Sequence, residues 1–335
     1  MVDRRSFLGA LAATAAAWPA RGVAAQAGGT VQTVTGPVPA SDLGMVLMHE
    51  HVMVDFVGAD KVSRSRYDAD EVVRVALPHL RQVKELGCRT IVESTPAFLG
   101  RNAALLRRLS READVLIVTN TGIYGAADDK YVPATARKES AAEIAQKWIN
   151  EHTRGVDGTD IMPGFMKIGV DAGPLSEIDR KLVEAAGITH KATGLPIASH
   201  TTTGVAAHQE LDVLDGLGVP LDAFIWVHAH NEGDESLLKR AAERGAWVEF
   251  DGIAPDTVER HVQLVKIMAE AGHLARVLVS HDAGWYHVGE AGGGTFRPYD
   301  TVFTSFVPAI KEALGAEAVQ TLMVTNPARA LARRG

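Results

Sequence analysis

Cysteine is all but missing from this chain of 335 residues: Cys88 is its one copy. No intramolecular disulfide can form, so the thiol is read as a small buried side chain at a helix end. A positive surplus is missing as well, since 34 Lys and Arg residues face 41 Asp and Glu residues for a formal charge of −7. That balance excludes the basic footprint needed to hold nucleic-acid phosphates or an anionic membrane surface, and leaves small molecules as the expected partners. No apolar run is long enough to cross a bilayer. The longest candidate, near the amino terminus, offers about twelve apolar residues against a hydrocarbon core of about 30 Å. There is no internal repeat, heptad array or low-complexity tract outside the first 25 residues and a Gly-rich stretch, Glu290 to Thr295, read as a mobile loop.

The composition that remains, 46% hydrophobic and 22% charged, is that of a soluble globular protein. Residues 1–25 are set aside before any fold is considered. Asp3-Arg4-Arg5-Ser6-Phe7-Leu8 pairs two arginines with an apolar step, an Ala-rich run extends to Trp18, and Val23-Ala24-Ala25 offers a small-residue cleavage site. This resembles a twin-arginine export signal, which implies passage through the twin-arginine translocase and a periplasmic destination. Removing three arginines and one aspartate would take the mature chain to about −9. A folded, disulfide-free, metal-loaded cargo suits that route. Residues 26–335 are expected to form a single domain.

Apolar runs rich in Val and Ile fall at 45–53, 89–95, 114–123, 164–170, 196–202, 224–230, 247–253 and 277–283. Helical periods alternate with them at 70–87, 102–113, 139–154, 175–193, 205–217, 234–245, 255–272 and 300–314. Gly87, Gly194, Gly218, Gly245 and Gly272 sit where left-handed helix caps belong. Strand-then-helix repeated eight times is the pattern of a (β/α)8 TIM barrel, whose active sites gather at the C-terminal ends of the strands.

Late in those strands lie the residues that carry chemistry. In Met45-Val46-Leu47-Met48-His49-Glu50-His51-Val52-Met53 the strand period puts His49 and His51 on one face and Glu50 on the other. Lys167 sits in the fourth run, His200 ends the fifth, His228 the sixth and Asp282 the eighth. Divalent transition metals take imidazole nitrogen and carboxylate oxygen, and two such ions about 3.5–4 Å apart need a shared anion between them. Four histidines and one aspartate supply no obvious bridge. Lys167 can fill that gap only as a carbamate formed with carbon dioxide, because an ammonium between two dications would be repelled.

With His49-Glu50-His51, Phe165-Met166-Lys167-Ile168, Ser199-His200-Thr201, Val227-His228 and Ser280-His281-Asp282 in this order, the chain resembles the phosphotriesterase-like family of the amidohydrolase superfamily. Arg89-Thr90-Ile91-Val92-Glu93 and Thr325-Asn326-Pro327-Ala328-Arg329 extend the likeness from about Val31 to Leu331. The resemblance implies a binuclear centre: one ion on His49, His51 and Asp282, the other on His200 and His228, bridged by carboxylated Lys167 and a hydroxide. It further implies that the hydroxide is the nucleophile and Asp282 its proton acceptor. Zinc is the expected metal, with manganese, cobalt or iron as alternatives. A homodimer is common among similar proteins.

Around this core, Tyr124, His230, Trp285 and Tyr286, with His287, are expected to line the substrate pocket. His230 is read either as a proton relay or substrate contact, or as an exposed histidine. Asp251 is read either as orienting a metal ligand or as bonded on the helix side. His281, of opposite parity to Asp282, is expected to face the helices, and Arg297 to be a solvated surface residue. Two departures bear on substrate. Where organophosphate-hydrolysing members carry a proton-shuttling histidine this chain has Gly252, and where lactone-hydrolysing members often carry a tyrosine it has Ala97. The expected activity is hydrolysis of an ester-type bond, lactones and carboxyl esters ahead of phosphotriesters. An amide-cleaving activity on the same scaffold is the alternative, and a non-catalytic periplasmic binding protein a more distant one.

Overall fold

A computed structural model describes residues 28–333, so the expected signal at 1–25 lies outside the described residues. The described chain opens with an antiparallel hairpin, β1 (Thr30–Thr33) and β2 (Gly36–Pro39), which the sequence reading did not anticipate. Its strands are four residues each, the second carrying Pro37 and Pro39, and are too short for a period to register.

The alternation then begins: β3 (Met45–Val54), α1 (Ala69–Glu85), β4 (Cys88–Glu93), α2 (Ala103–Ala113), β5 (Leu116–Val118) and β6 (Asn120–Thr121). It continues through α3 (Ala134–Lys138), α4 (Ala141–Arg154), β7 (Phe165–Gly169), α5 (Glu177–Thr193), β8 (Ile197–His200), α6 (Gly204–Gly216), β9 (Phe224–Val227) and α7 (Glu235–Glu243). β10 (Trp247–Phe250), α8 (Val258–Glu270), β11 (Val277–Val279), β12 (Ala283–His287), α9 (Val307–Leu314), α10 (Ala316–Gln320) and α11 (Asn326–Leu331) complete it. Helix starts are chemically marked. Ser140 with Glu143 and Ser176 with Asp179 form capping boxes that satisfy the first free N–H groups of α4 and α5. The five glycines expected at helix ends all take positive φ, between 70° and 106°.

The strands pair in parallel in two arcs, β12-β3-β4-β5 and β6-β7-β8-β9-β10-β11. Two interrupted staves join the arcs. Thr119 alone separates β5 from β6, and residues 280–282 separate β11 from β12. Hydrogen bonds carry across the second seam, from Ser280 N to Phe250 O at 3.2 Å and from Asp282 N to His49 O at 3.0 Å. Eight staves thereby form the (β/α)8 barrel. The eighth is split because residue 282 turns into the left-handed region.

Packing falls into two layers. Val46, Met48, Val92, Val118, Phe165, Ala198, Ile225, Val227, Trp247 and Leu278 fill the inside of the barrel, with Val31, Leu43 and Leu331 packed into the same cluster. A larger cluster joins the outer strand faces to the helices. Each buried Val, Leu or Ile stabilises by roughly 1.5–3 kcal/mol. Toward the C-terminal ends the inward positions turn polar: Phe165 is followed two residues on by Lys167, Ala198 by His200, and Trp247 by Glu249 and Asp251. Cys88 is buried, which pushes its thiol up. No helix among the described residues is long and apolar enough to cross a membrane.

Candidate metal centre

A bulge in β3 aims the first pair of histidines. Leu47 pairs with Ile91 but Glu50 pairs with Glu93, so three steps on β3 match two on β4. Before the bulge Met48 faces the barrel interior; after it His49 and His51 take the inward side, their Nε2 atoms 3.2 Å apart. Asp282 Oδ1 closes a triangle with them, 3.2 Å from His51 and 3.7 Å from His49.

Hydrogen bonds on the far side of each ring settle where its proton sits. The Thr95 hydroxyl gives its hydrogen to Glu93 at 2.6 Å or to the Met53 carbonyl at 3.1 Å. It must then accept from His51 Nδ1, at 2.8 Å. Asp251 lies 3.0 Å from His49 Nδ1 through one oxygen and 2.9 Å from His228 Nδ1 through the other. All three rings therefore carry hydrogen on Nδ1 and present a bare Nε2. Two bare nitrogens and a carboxylate oxygen facing one another repel unless a positive charge lies between them.

A second proton on an imidazole would relieve that repulsion, but burial lowers His49 to about 4, against the opposing pull of Asp251. A divalent cation fits better. Bonds of about 2.0–2.2 Å around a four-coordinate ion set its donors about 3.3–3.6 Å apart, close to the spacing of the triangle. Asp282 Oδ1 has no hydrogen-bond partner, although it is buried. Among the described residues, two groups are spaced to hold an ion: His49, His51 and Asp282, and His49, His228 and Asp251. The second is accounted for by the hydrogen bonds of Asp251, which orient the rings.

His200 and His228 continue the cluster, their ring centroids 4.4 Å apart, with His49 5.0 Å from His228. Burial and the neighbouring His228 hold His200 well below the usual imidazole range, so it too is neutral. Lys167 is buried in the same place. Burial lowers its amine to about 8, against the pull of Asp282, Asp251, Glu249 and Glu210. Its Nζ lies 5.5 Å from the Tyr124 ring centroid and 3.4 Å from the Ile168 carbonyl. Burial works upward on Asp282 and Asp251, but the surrounding histidines outweigh it and both carboxyls lie below their ordinary value. Glu249 comes no nearer than 4.0 Å to His49 Nδ1, and burial beside Asp251, against the pull of Lys167, pushes it well up. His228 and Asp282 adopt φ of 65° and 54°, a left-handed backbone that costs a non-glycine residue about 1–3 kcal/mol.

The expected pocket residues divide. His230 lines a cavity of about 420 Å³ together with His200, His228, Gly252, Asp282 and Arg297. Its Nδ1 is 3.1 Å from Asp251, though off the line of a good hydrogen bond. The Trp285 ring lies tilted 4.8 Å from that of His51 and donates from Nε1 to the Asp282 carbonyl at 2.9 Å. The Tyr124 ring lies 4.9 Å from His200. Tyr286 departs from expectation. One residue out of phase with Trp285, it is buried against α1, with its hydroxyl donating to Glu71 at 3.1 Å. His287 shares the Trp285 side, 5.9 Å away. His281 is turned outward and accepts from Val302 N at 2.8 Å. Arg297 is exposed, yet its guanidinium stacks 5.1 Å from Trp285 and donates to the Asp282 carbonyl.

Sequence reading missed Thr95, Glu249, Phe56 and Tyr131. Glu249 shares the parity of Asp251, a usable signal. Phe56, whose ring lies 5.4 Å from Trp285, and Tyr131, 5.7 Å from Tyr124, stand in different loops and gave none.

A sequence model of the phosphotriesterase family matches residues 29–331. The chain belongs to the phosphotriesterase family. Family members with curated names include a phosphotriesterase homology protein of Escherichia coli, 27% identical over 85% of this chain and 97% of that protein. An aryldialkylphosphatase of Saccharolobus solfataricus is 24% identical over 87% of this chain and 95% of its own. A mouse N-acetyltaurine hydrolase is 25% identical over 89% and 97% respectively. Among solved structures, a lactonase of Listeria monocytogenes superposes with a TM-score of 0.79 at 22% identity, covering 91% of this chain and all of that one, and supports the barrel fold. This phosphotriesterase-family hydrolase carries His and Asp groups able to bind metal.

Proposed function

We propose that the protein hydrolyses an ester-type bond at a binuclear centre, lactones and carboxyl esters ahead of phosphotriesters. One observation carries the reading: His49 Nε2, His51 Nε2 and Asp282 Oδ1 converge within 3.7 Å with no hydrogen to share. His49, His51 and Asp282 would hold one divalent ion, His200 and His228 the other, and Lys167, carboxylated by carbon dioxide, would join them. The lowered amine of Lys167 supports this, because only a neutral amine adds carbon dioxide. Bound ions would supply Lewis acidity for the carbonyl or phosphoryl oxygen and a water acidic enough to react near neutral pH.

The residues of the chain do the rest. Asp251 and Thr95 keep the imidazoles pointed inward. Asp282, held ionised, is placed to receive the proton of an attacking water. Esters and lactones rank first because their leaving groups need less protonation than amines. A glycine also stands at 252, where organophosphate-hydrolysing relatives carry a shuttling histidine. The relative named N-acetyltaurine hydrolase favours amide cleavage as the second reading.

Metal analysis after mild purification, followed by a screen of lactones, aryl esters, phosphotriesters and N-acyl amides, tests the proposal. About two equivalents of transition metal, lost together with ester or lactone turnover on chelation, are expected. Turnover of amides alone would transfer the assignment to the second reading, and a metal-free protein without turnover would end both.

A further inference from the structure

Glu50 stands between the two histidines of β3 and faces away from them. We propose that it is the positioning residue that sets Asp282 against His49 and His51, an inference that rests on the metal-binding reading above. The carboxylate is fully buried and accepts four hydrogen bonds, all from residues flanking Asp282. Oε1 takes Ser280 Oγ at 2.8 Å, His281 N at 3.1 Å and His281 Nδ1 at 2.7 Å, and Oε2 takes Ala283 N at 2.8 Å. Because Val302 N–H occupies His281 Nε2, the ring hydrogen of His281 must sit on Nδ1 and point to Glu50.

The same segment is fixed to β3 from the other side. Ser280 Oγ accepts from His49 N at 2.9 Å, and Asp282 N donates to His49 O at 3.0 Å. Asp282 needs this hold. Its φ of 54° is a conformation that persists in an aspartate only when its surroundings impose it. It also falls at the break between β11 and β12, where no regular ladder constrains it. The β3 bulge explains the economy of the arrangement. It sends residues 49 and 51 inward, so residue 50 necessarily emerges behind them, at the seam where the eighth stave returns. One strand thus supplies two candidate ligands on its inner side and, on its outer side, the anchor for the third.

Glu50→Gln tests the proposal, because an amide has one acceptor oxygen and its NH2 must oppose either Ala283 N–H or the three donors at Oε1. Relative to the wild type, kcat should fall about 10- to 100-fold with KM within about twofold. The metal should be stripped at about 10- to 100-fold lower chelator concentration. The visible band of the cobalt-loaded protein should also shift, which a loss of stability alone would not produce. Unchanged kcat, metal retention and cobalt spectrum would overturn the proposal. Should Glu50→Gln fail to fold, Ser280→Ala removes one of the four donors to Glu50, together with the acceptor of the His49 N–H. It should lower kcat and metal retention several-fold, and no change in either would likewise overturn the proposal. A wild-type protein that binds no metal would sink the metal-binding reading itself. A metal-loaded wild type matched by Glu50→Gln would sink the role of Glu50 alone.

Discussion

The imidazole of His230 occupies the volume that a side chain at Gly252 would need: a Cβ placed on residue 252 falls 2.4 Å from His230 Nε2. The missing histidine and the present one are therefore alternatives for one space at the edge of the cavity. Gly252→His, which would introduce the histidine that the family resemblance places at this position, should overpack this corner and cost about 1–3 kcal/mol. Its thermal midpoint should fall, with no gain in phosphotriester turnover. The double change with His230→Gly should recover the midpoint. A single variant as stable as the wild type would show that the two side chains do not compete.

Asp251 accepts from both His49 and His228 and thereby holds two candidate ligands of different ions. Asp251→Asn keeps the size but only one acceptor oxygen, so one of the two rings loses its orientation. Metal affinity measured by chelator competition should weaken about 10- to 100-fold. Affinity equal to that of the wild type would mean that the rings are oriented by packing alone.

Lys167→Ala removes the candidate bridge and should abolish occupancy by two ions, as read by metal stoichiometry. A short carboxylic acid added in solution should partly restore metal content and turnover by standing in for the carbamate. Full metal content and rate in Lys167→Ala would show that no bridge is made there.

Glu210, on α6, accepts from Ser199 Oγ at 2.5 Å and Thr201 Oγ1 at 2.6 Å, the two neighbours of His200. Burial nevertheless pushes its carboxyl up from 4.5 to about 8. Between those values the folded protein keeps a proton that the unfolded chain has released, so this residue makes stability fall as pH rises from about 4.5 to about 8. Glu210→Gln cannot ionise and should flatten that part of the profile of urea midpoint against pH. An unaltered slope would assign the pH dependence to other groups.

Much of the site was legible because its signals are local. His49 and His51 share a face whatever the rest of the chain does, Lys167 and His200 each stand two residues beyond an inward apolar residue, and Asp251 stands four beyond Trp247. Tyr286 was placed wrongly because three consecutive aromatic or imidazole side chains, Trp285, Tyr286 and His287, give no clue to which alternate residue turns inward. The hairpin of β1 and β2, α3 and the terminal α10 and α11 escaped notice because none is long enough for a period to show.

The sequence by itself determined the eightfold alternation of strand and helix and the residue types able to bind metal, since periodicity and donor chemistry belong to neighbouring residues. Which face of β3 the histidines occupy was decided only in the tertiary structure, by an extra residue in the pairing with β4. Their tautomers depended on it too, being fixed by Thr95 and Asp251, which stand just past the ends of β4 and β10. So did the setting of Asp282, clasped by Glu50 from more than two hundred residues away in the chain. The reason is physical: a strand period says which side chains agree in direction, but only contact with distant strands chooses the direction and places the protons.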